Sequence, residues 1–147
     1  MNIEVSVLIG RPVEEVWRFV TDWSNIPRMN PVVLAAKQTS SGQPGVGTTV
    51  EATQEPRLGN RVTRIRVVGY EPNRRLALEH VSGPLKGTRT TFLMETVEGK
   101  TRLTLTTDAK LSGFYKVLGP FLAGRARREV GAELGNARCL LETKAQP

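Results

Sequence analysis

The chain has little of what catalytic and metal-binding proteins usually concentrate. Among its 147 residues it contains one cysteine, Cys139, and one histidine, His80. A single cysteine cannot form a disulfide within the chain, so we expect a reducing, cytoplasmic location. We expect Cys139 to be half-buried, because Leu140 and Leu141 follow it. One histidine without Cys, Asp or Glu at ligand spacing predicts no metal site, and no motif predicts another cofactor.

The sequence also lacks any apolar run of the roughly 18 to 20 residues that a membrane-spanning helix needs. Its first residues, MNIEVSVLIGRP, show no basic leader or cleavage site and already alternate as a strand does. We therefore expect a soluble, unexported protein with no membrane span. The length fits a single domain over residues 1–147, which can build a core without disulfides.

Charge is the one strong bias in composition, with 21 Lys and Arg against 14 Asp and Glu and a formal net charge of +7. Such an excess favours nucleic acid, anionic ligands or membrane surfaces as partners. No zinc-finger spacing, aromatic RNA-binding strand or basic tail accompanies it, so we expect solvated faces and no specific nucleic-acid partner. Peripheral contact with anionic lipid stays open. The residues concerned are Arg57, Arg61, Arg64, Arg66, Arg74 and Arg75 on or near strands, and Arg125, Arg127 and Arg128 beside Glu129 and Glu133 on a helix.

Alternation of apolar and polar residues is the main structural signal. It begins with a strand at 3–9, and Pro12 then predicts the start of a helix of about three turns that ends near Asp22. The segment WSNIPRMNP at 23–31 contains two prolines and allows only an irregular or one-turn helix. Short turns, such as Glu98-Gly99, predict an antiparallel meander of six further strands. These strands are expected at 32–39, 48–54, 61–70, 76–82, 88–97 and 101–111.

The segment 119–143 predicts one long amphipathic helix, because apolar residues recur every three or four positions. A helix of about 25 residues runs roughly 37 Å, enough to cross a small sheet. An antiparallel sheet usually has one wet face, so this helix is the element expected to cover the other face. Its apolar stripe comprises Leu118, Leu122, Ala126, Val130, Leu134, Ala137 and Leu141.

The order of these elements, together with several segments, resembles the START-like helix-grip (SRPBCC) superfamily. The segments are RPVEEVWRFVTDWSNIPRMNPVV after the first strand, Gly-Val-Gly at 45–47, YEPNRRLAL at 70–78, GKTRLTLT at 99–106, and the final GPFLAGRARREVGAELGNARCLLE. Within it, the chain resembles the bacterial polyketide cyclase/dehydratase and lipid-transport branch. The resemblance implies an α+β fold: a seven-stranded antiparallel sheet wrapped around a long C-terminal helix, two short helices after strand 1, and a mostly apolar cavity. The resemblance does not identify any catalytic residue in this chain.

The inner face of such a sheet supplies the candidate ligand-binding residues. Apolar side chains there would wall the cavity, and Gln54, Thr63 and His80 would be its sparse polar anchors. Aromatic and methionine residues of the irregular segments would border its mouth. The full candidate set is Trp23, Met29, Gln54, Thr63, Ile65, Val67, Leu78, His80, Phe92, Met94, Leu103, Leu105, Phe114, Tyr115, Leu118, Phe121 and Leu122.

His80 is the one candidate catalytic residue, because its alternation with Leu76 and Leu78 predicts that it points inward. With a pKa near neutrality it can act as a general acid or base on an enolisable ligand. The competing interpretation is a histidine that is hydrogen-bonded in the rim or core. Asp108, Glu55 and Tyr115 near strand ends are further candidates for orienting a ligand, although polar residues at strand ends are usually just exposed.

Three functions remain open on this basis. The first is binding, by carriage or sequestration, of a hydrophobic or aromatic small molecule such as a lipid or polyketide. The second is a polyketide cyclase/dehydratase-type enzyme that uses His80 as acid or base. The third is an anion-binding interaction module that uses the basic face.

Overall fold

The computed structural model describes residues 2–31, 33–54, 62–82, 86–109 and 119–144, with side chains in the last range described from 124 to 143. These residues form seven strands, two short helices, a 3₁₀ turn and one long helix. In chain order they are β1 (Asn2–Ile9), α1 (Val13–Val20), the 3₁₀ turn (Trp23–Asn25), α2 (Ile26–Met29), β2 (Val33–Gln38), β3 (Thr49–Gln54), β4 (Val62–Glu71), β5 (Arg75–His80), β6 (Arg89–Val97), β7 (Lys100–Asp108) and α3 (Gly119–Lys144).

The strands form one antiparallel sheet in the order β1-β7-β6-β5-β4-β3-β2. Strands β2 to β7 make the predicted meander, and β1 pairs with β7, so that Val5 lies opposite Leu105. The predicted order of elements and the helix-grip fold are confirmed. The helix α1 is shorter than the three turns predicted, because it ends at Val20 and the backbone is already extended at Asp22, with φ −88° and ψ 103°.

The bend between β6 and β7 was predicted from the dipeptide Glu98-Gly99. Both residues have positive φ angles, 51° for Glu98 and 81° for Gly99. A two-residue hairpin turn with left-handed backbone at both positions matches the twist of the strands it joins. The turn therefore fixes the β6–β7 register, in which Val97 lies opposite Lys100.

The inner face of the sheet carries the main core together with α1 and α3. In β4, buried Thr63, Ile65 and Val67 alternate with exposed Arg64 and Arg66, as the sequence predicts. This period of two repeats along the sheet and places one apolar row per strand on the inner face. The buried sheet residues of the main core are Ile9, Val50, Val67, Leu76, Phe92, Met94, Leu103 and Leu105.

The helix α3 lies along β1 and makes smaller contacts with β7, α1 and α2. Leu134, Ala137 and Leu141 of the predicted stripe are buried in the main core. The backbone N–H of Gly10 donates to the Glu142 carboxylate at 3.0 Å, which fixes the helix end beside β1. Leu118 lies outside the described residues, and so does the side chain of Leu122.

Cys139 is exposed, and the expectation that it is half-buried was wrong. It precedes Leu141 by two residues, which is about 200° around a helix with 3.6 residues per turn. Burial of Leu141 therefore turns Cys139 to solvent. The adjacent leucines in the sequence were a poor guide, because neighbours in a helix do not share a face.

The outer face of the sheet alternates positive and negative side chains. Arg64 lies opposite Glu51 and Arg66 opposite Glu79 in neighbouring strands. Each arginine therefore has a carboxylate as its cross-strand neighbour. This arrangement is typical of a solvated face rather than of a continuous basic patch. Arg57 and Arg61 lie outside the described residues.

Candidate functional site

The side chains on the inner face of the sheet change from apolar to polar along the strands. Leu105 and Phe92 pair on the aliphatic part, and one inner position further along these strands Thr107 pairs with Thr90. On the neighbouring strand β5, Leu78 pairs with Thr90, and His80 is the next residue of β5 on the inner face. The polar end of the inner face is therefore shared by several neighbouring strands.

His80 ends β5, where its backbone pairs with Ile65 of β4. Its side chain is half-buried, and its Nδ1 atom is buried without a hydrogen-bond partner among the described residues. Burial lowers the pKa of the imidazole below its ordinary value, so the ring is neutral at neutral pH. A buried nitrogen without a partner is costly unless a water or a ligand satisfies it.

Glu133 of α3 is a second desolvated group, although its position beside several arginines in the sequence predicted a solvated charge. Its side chain is only half-buried by exposed area, yet burial, with a smaller contribution from Glu129, raises its pKa to about 7. The carboxyl is therefore surrounded by many protein atoms, although part of the side chain stays accessible to solvent. The sequence did carry a sign that Glu133 lacks a cation: no Arg or Lys stands three or four residues away from it on the helix.

Trp23 and Met29 are packed more tightly than residues bordering an open mouth. Both are buried in the main core, with 7% and 3% of their surface exposed. The Trp23 indole N–H donates to Oε1 of Gln38 at 3.2 Å. The Met29 carbonyl accepts a hydrogen bond from the Asn136 amide of α3 at 2.8 Å. The 3₁₀ turn and α2 are thereby attached to both the sheet and the long helix.

The other candidate residues divide into inner-face residues and residues outside the described part. Thr63 and Ile65 are buried on the inner face, while Gln54 at the end of β3 is half-buried. The remaining inner-face candidates are Val67, Leu78, Phe92, Met94, Leu103 and Leu105. Glu55, Phe114, Tyr115 and Leu118 lie outside the described residues, as do the side chains of Phe121 and Leu122.

An open cleft of about 380 Å³ lies where the ends of β1, β6 and β7 meet α3. Arg89 and Arg127 line it together with Glu4 and Asp108, so its charges are mixed. Its lining places Arg127 beside the start of β1, whereas Glu142 lies beside Gly10 just after the end of that strand, so α3 runs parallel to β1. The candidate Asp108 belongs to this cleft and is exposed.

Metal-binding clusters and membrane-spanning helices are both absent from the described ranges. In those ranges no group of three or more His, Cys, Asp or Glu side chains is placed to hold a metal ion. The helices of the same ranges include none with the length and apolar character needed to cross a membrane.

Comparison with solved structures gives the same fold. A START superfamily protein from Mycobacterium smegmatis superposes with a TM-score of 0.82 at 15% identity, over 98% of this chain and 99% of that one. A protein of Thermus thermophilus gives 0.79 at 14% identity, over 99% and 100%. The di-domain ARO/CYC BexL from the BE-7585A biosynthetic pathway gives 0.73 at 17% identity, over 95% of this chain and 47% of that one.

Sequence comparison identifies the family. No curated protein matches the chain. The family described as polyketide cyclase / dehydrase and lipid transport matches residues 1–142, nearly the whole length. The strand order, the long helix on β1 and the polar end of the inner face all lie within this match, and the chain therefore belongs to the polyketide cyclase/dehydrase and lipid transport family.

Proposed function

We propose that the protein binds a hydrophobic or aromatic small molecule between the sheet and α3, for carriage or sequestration. The observation that carries this proposal is His80, whose buried Nδ1 lacks a hydrogen-bond partner among the described residues, at the polar end of an inner face that is apolar along the main core. Binding sites for small molecules commonly combine an apolar wall with a few polar groups that fix orientation. Family membership supports the same class of ligand.

The position of α3 supports a binding space of this kind. The helix packs mainly on β1 at one edge of the sheet, and its smaller contacts are with β7, α1 and α2. The inner residues of β4 and β5, including Leu78 and His80, lie towards the opposite edge. A ligand there would contact Leu78 and Ile65 and hydrogen-bond to His80.

The test is direct measurement of bound and displaceable molecules. Purified protein is extracted with organic solvent for mass spectrometry, and the stripped protein is titrated with the neutral dye Nile red. We expect saturable binding near one dye per chain, weaker in His80→Phe than in the outer-face control Leu93→Ala. No extracted compound and no saturable dye binding would overturn the proposal.

Catalysis is the second candidate, favoured by the neutral imidazole of His80. Its lowered pKa keeps the ring unprotonated and able to accept a proton from an acidic carbon or hydroxyl. A linear poly-β-ketone would be incubated with the protein and aromatic products followed by absorbance. We expect His80→Gln to abolish turnover while Nile red still binds; unchanged turnover would remove His80 from the mechanism.

A further inference from the structure

In the described part of α3, Glu133 is a desolvated acidic residue that makes no hydrogen bond or ion pair. It stands three residues after Val130 and four before Ala137, and both of these pack on the main core. Asn136, three residues further on, reaches the Met29 carbonyl of α2. The Glu133 side chain therefore lies on the helix face between the sheet and α2.

Two other carboxylates of α3 form ion pairs with arginines of the same helix, whereas Glu133 forms none within the described residues. Arg125 pairs with Glu129 at 3.2 Å and Arg138 pairs with Glu142 at 3.3 Å, each at the i, i+4 spacing. The corresponding neighbours of Glu133 are Glu129 and Ala137. Among the described residues Glu133 makes no hydrogen bond or ion pair, so its carboxyl is available to a ligand.

His80 and Glu133 are not in contact with each other. Burial alone lowers the pKa of His80, whereas an adjacent carboxylate would raise it. One group stands on the sheet and the other on the helix, and each lacks a partner within the described part of the chain. A ligand between the sheet and α3 would lie between the strand that carries His80 and the helix that carries Glu133.

We propose that Glu133 is a ligand-binding residue which, together with His80, selects an uncharged, hydroxyl-bearing hydrophobic molecule over a carboxylate of the same shape. This inference rests on the proposed binding function and adds the chemical class of the ligand. It also assigns a binding role to a residue on α3 that was not among the candidates from the sequence.

The selection follows from the protonation states of the two residues. With its pKa raised to about 7, Glu133 is present in both forms near neutral pH. A ligand hydroxyl pairs with either form, because it both donates and accepts a hydrogen bond. A ligand carboxylate pairs only with the protonated form and is repelled by the ionised one. The neutral imidazole of His80 adds no positive charge to compensate.

The experiment compares two matched pairs of probes, decanol with decanoate and naphthol with naphthoate. Each probe displaces Nile red from stripped protein at about pH 8, where Glu133 is mainly ionised. An apolar cavity alone favours the alcohols, so the measured quantity is the change in preference between proteins. We expect Glu133→Gln to reduce the preference for the hydroxyl probes by about tenfold, mainly through tighter carboxylate binding. The control Glu129→Gln, at an exposed position one turn earlier, should keep the wild-type preference.

A measurement on the unsubstituted protein guards against misfolding of the variant. The carboxyl carbon resonance of Glu133, assigned by its loss in Glu133→Gln, should shift when naphthol is added, while that of Glu129 stays in place. An unchanged preference in Glu133→Gln, or no shift of this resonance, overturns the inference while Nile red binding still stands. If the unsubstituted protein does not bind Nile red at all, the proposed function itself is overturned.

Discussion

The amide of Asn136 donates a hydrogen bond to the backbone carbonyl of Met29 at 2.8 Å, across 107 residues of sequence. This contact joins the middle of α3 to the last residue of α2. The same segment of α3 carries Glu133 one turn earlier and Leu140 one turn later. The Asn136–Met29 hydrogen bond thus fixes the spacing between α3 and α2.

Replacement of Asn136 by Ala should leave the Met29 carbonyl without its donor. A lost hydrogen bond of this kind costs about 1 to 2 kcal/mol. Urea denaturation should report a free energy of unfolding lower by that amount, together with faster dissociation of Nile red. Arg128→Ala is the control, since Arg128 is exposed on the same helix and makes no described contact. Equal stability of the two variants would contradict the structural role of Asn136.

The raised pKa of Glu133 predicts a pH dependence of stability. Its pKa rises from 4.5 in the unfolded chain to about 7 in the folded protein, so the folded state holds a proton that the unfolded state releases. The free energy of unfolding should therefore fall as pH rises from about 4.5 to about 7, by at most about 3 kcal/mol. Partial exposure of the side chain reduces that figure.

The measurement is urea denaturation at several pH values for the unsubstituted protein and Glu133→Gln. His80 acts with the opposite sign, because its lowered pKa makes stability rise as pH approaches its ordinary value of 6.5. The difference between the two proteins removes the contribution of His80. A difference that does not change across this pH window would show that Glu133 titrates normally.

Much of the architecture followed from local patterns. Alternation predicted the strands, and in β4 the buried Thr63, Ile65 and Val67 were correctly separated from the exposed arginines. The turn at Glu98-Gly99 was predicted from the two residues themselves. The family resemblance implied one seven-stranded sheet, but the pairing of β1 with β7 was not predicted, because pairing between distant segments leaves no mark in local periodicity.

The candidate site was harder to predict than the fold. The inward position of His80 was predicted because strand alternation has a period of two and leaves little choice of face. Glu133 was expected to be solvated, because a helix offers intermediate faces and a glutamate beside several arginines is usually solvated. Its lack of a cation at helical spacing was visible in the sequence, but its desolvation depends on how α3 packs between the sheet and α2.

Leu134 tests whether the C-terminal half of α3 is part of the permanent core. Its side chain is 1% exposed in the main core, so Leu134→Ala should reduce the free energy of unfolding by about 2 to 5 kcal/mol. Leu93 lies on the outer face with 39% of its surface exposed, and Leu93→Ala should cost much less. Denaturant midpoints of the two variants give the comparison. Similar losses would mean that α3 is not packed as described.

Glycines of α3 and of β4 should respond in opposite directions to alanine. A Cβ atom at Gly124 or Gly135 meets nothing within 4 Å, so each substitution should stabilise the helix by roughly 1 kcal/mol. A Cβ atom at Gly69 would meet the Arg75 guanidinium and lie 3.0 Å from the Cβ of Ala77, so that Gly69→Ala should destabilise. Thermal unfolding distinguishes the two classes. A loss of stability in Gly124→Ala or Gly135→Ala would contradict the open space found there.

The pairing of β1 with β7 has a consequence for how the chain folds. Residues of β1 such as Val5 find their partners, such as Leu105, about 100 positions later, and α3 packs on β1 later still. During synthesis β1 stays unpaired until β7 has been made. Contacts of such long range slow folding. Completion of the sheet and packing of α3 on β1 therefore both depend on contacts between segments about 100 or more residues apart.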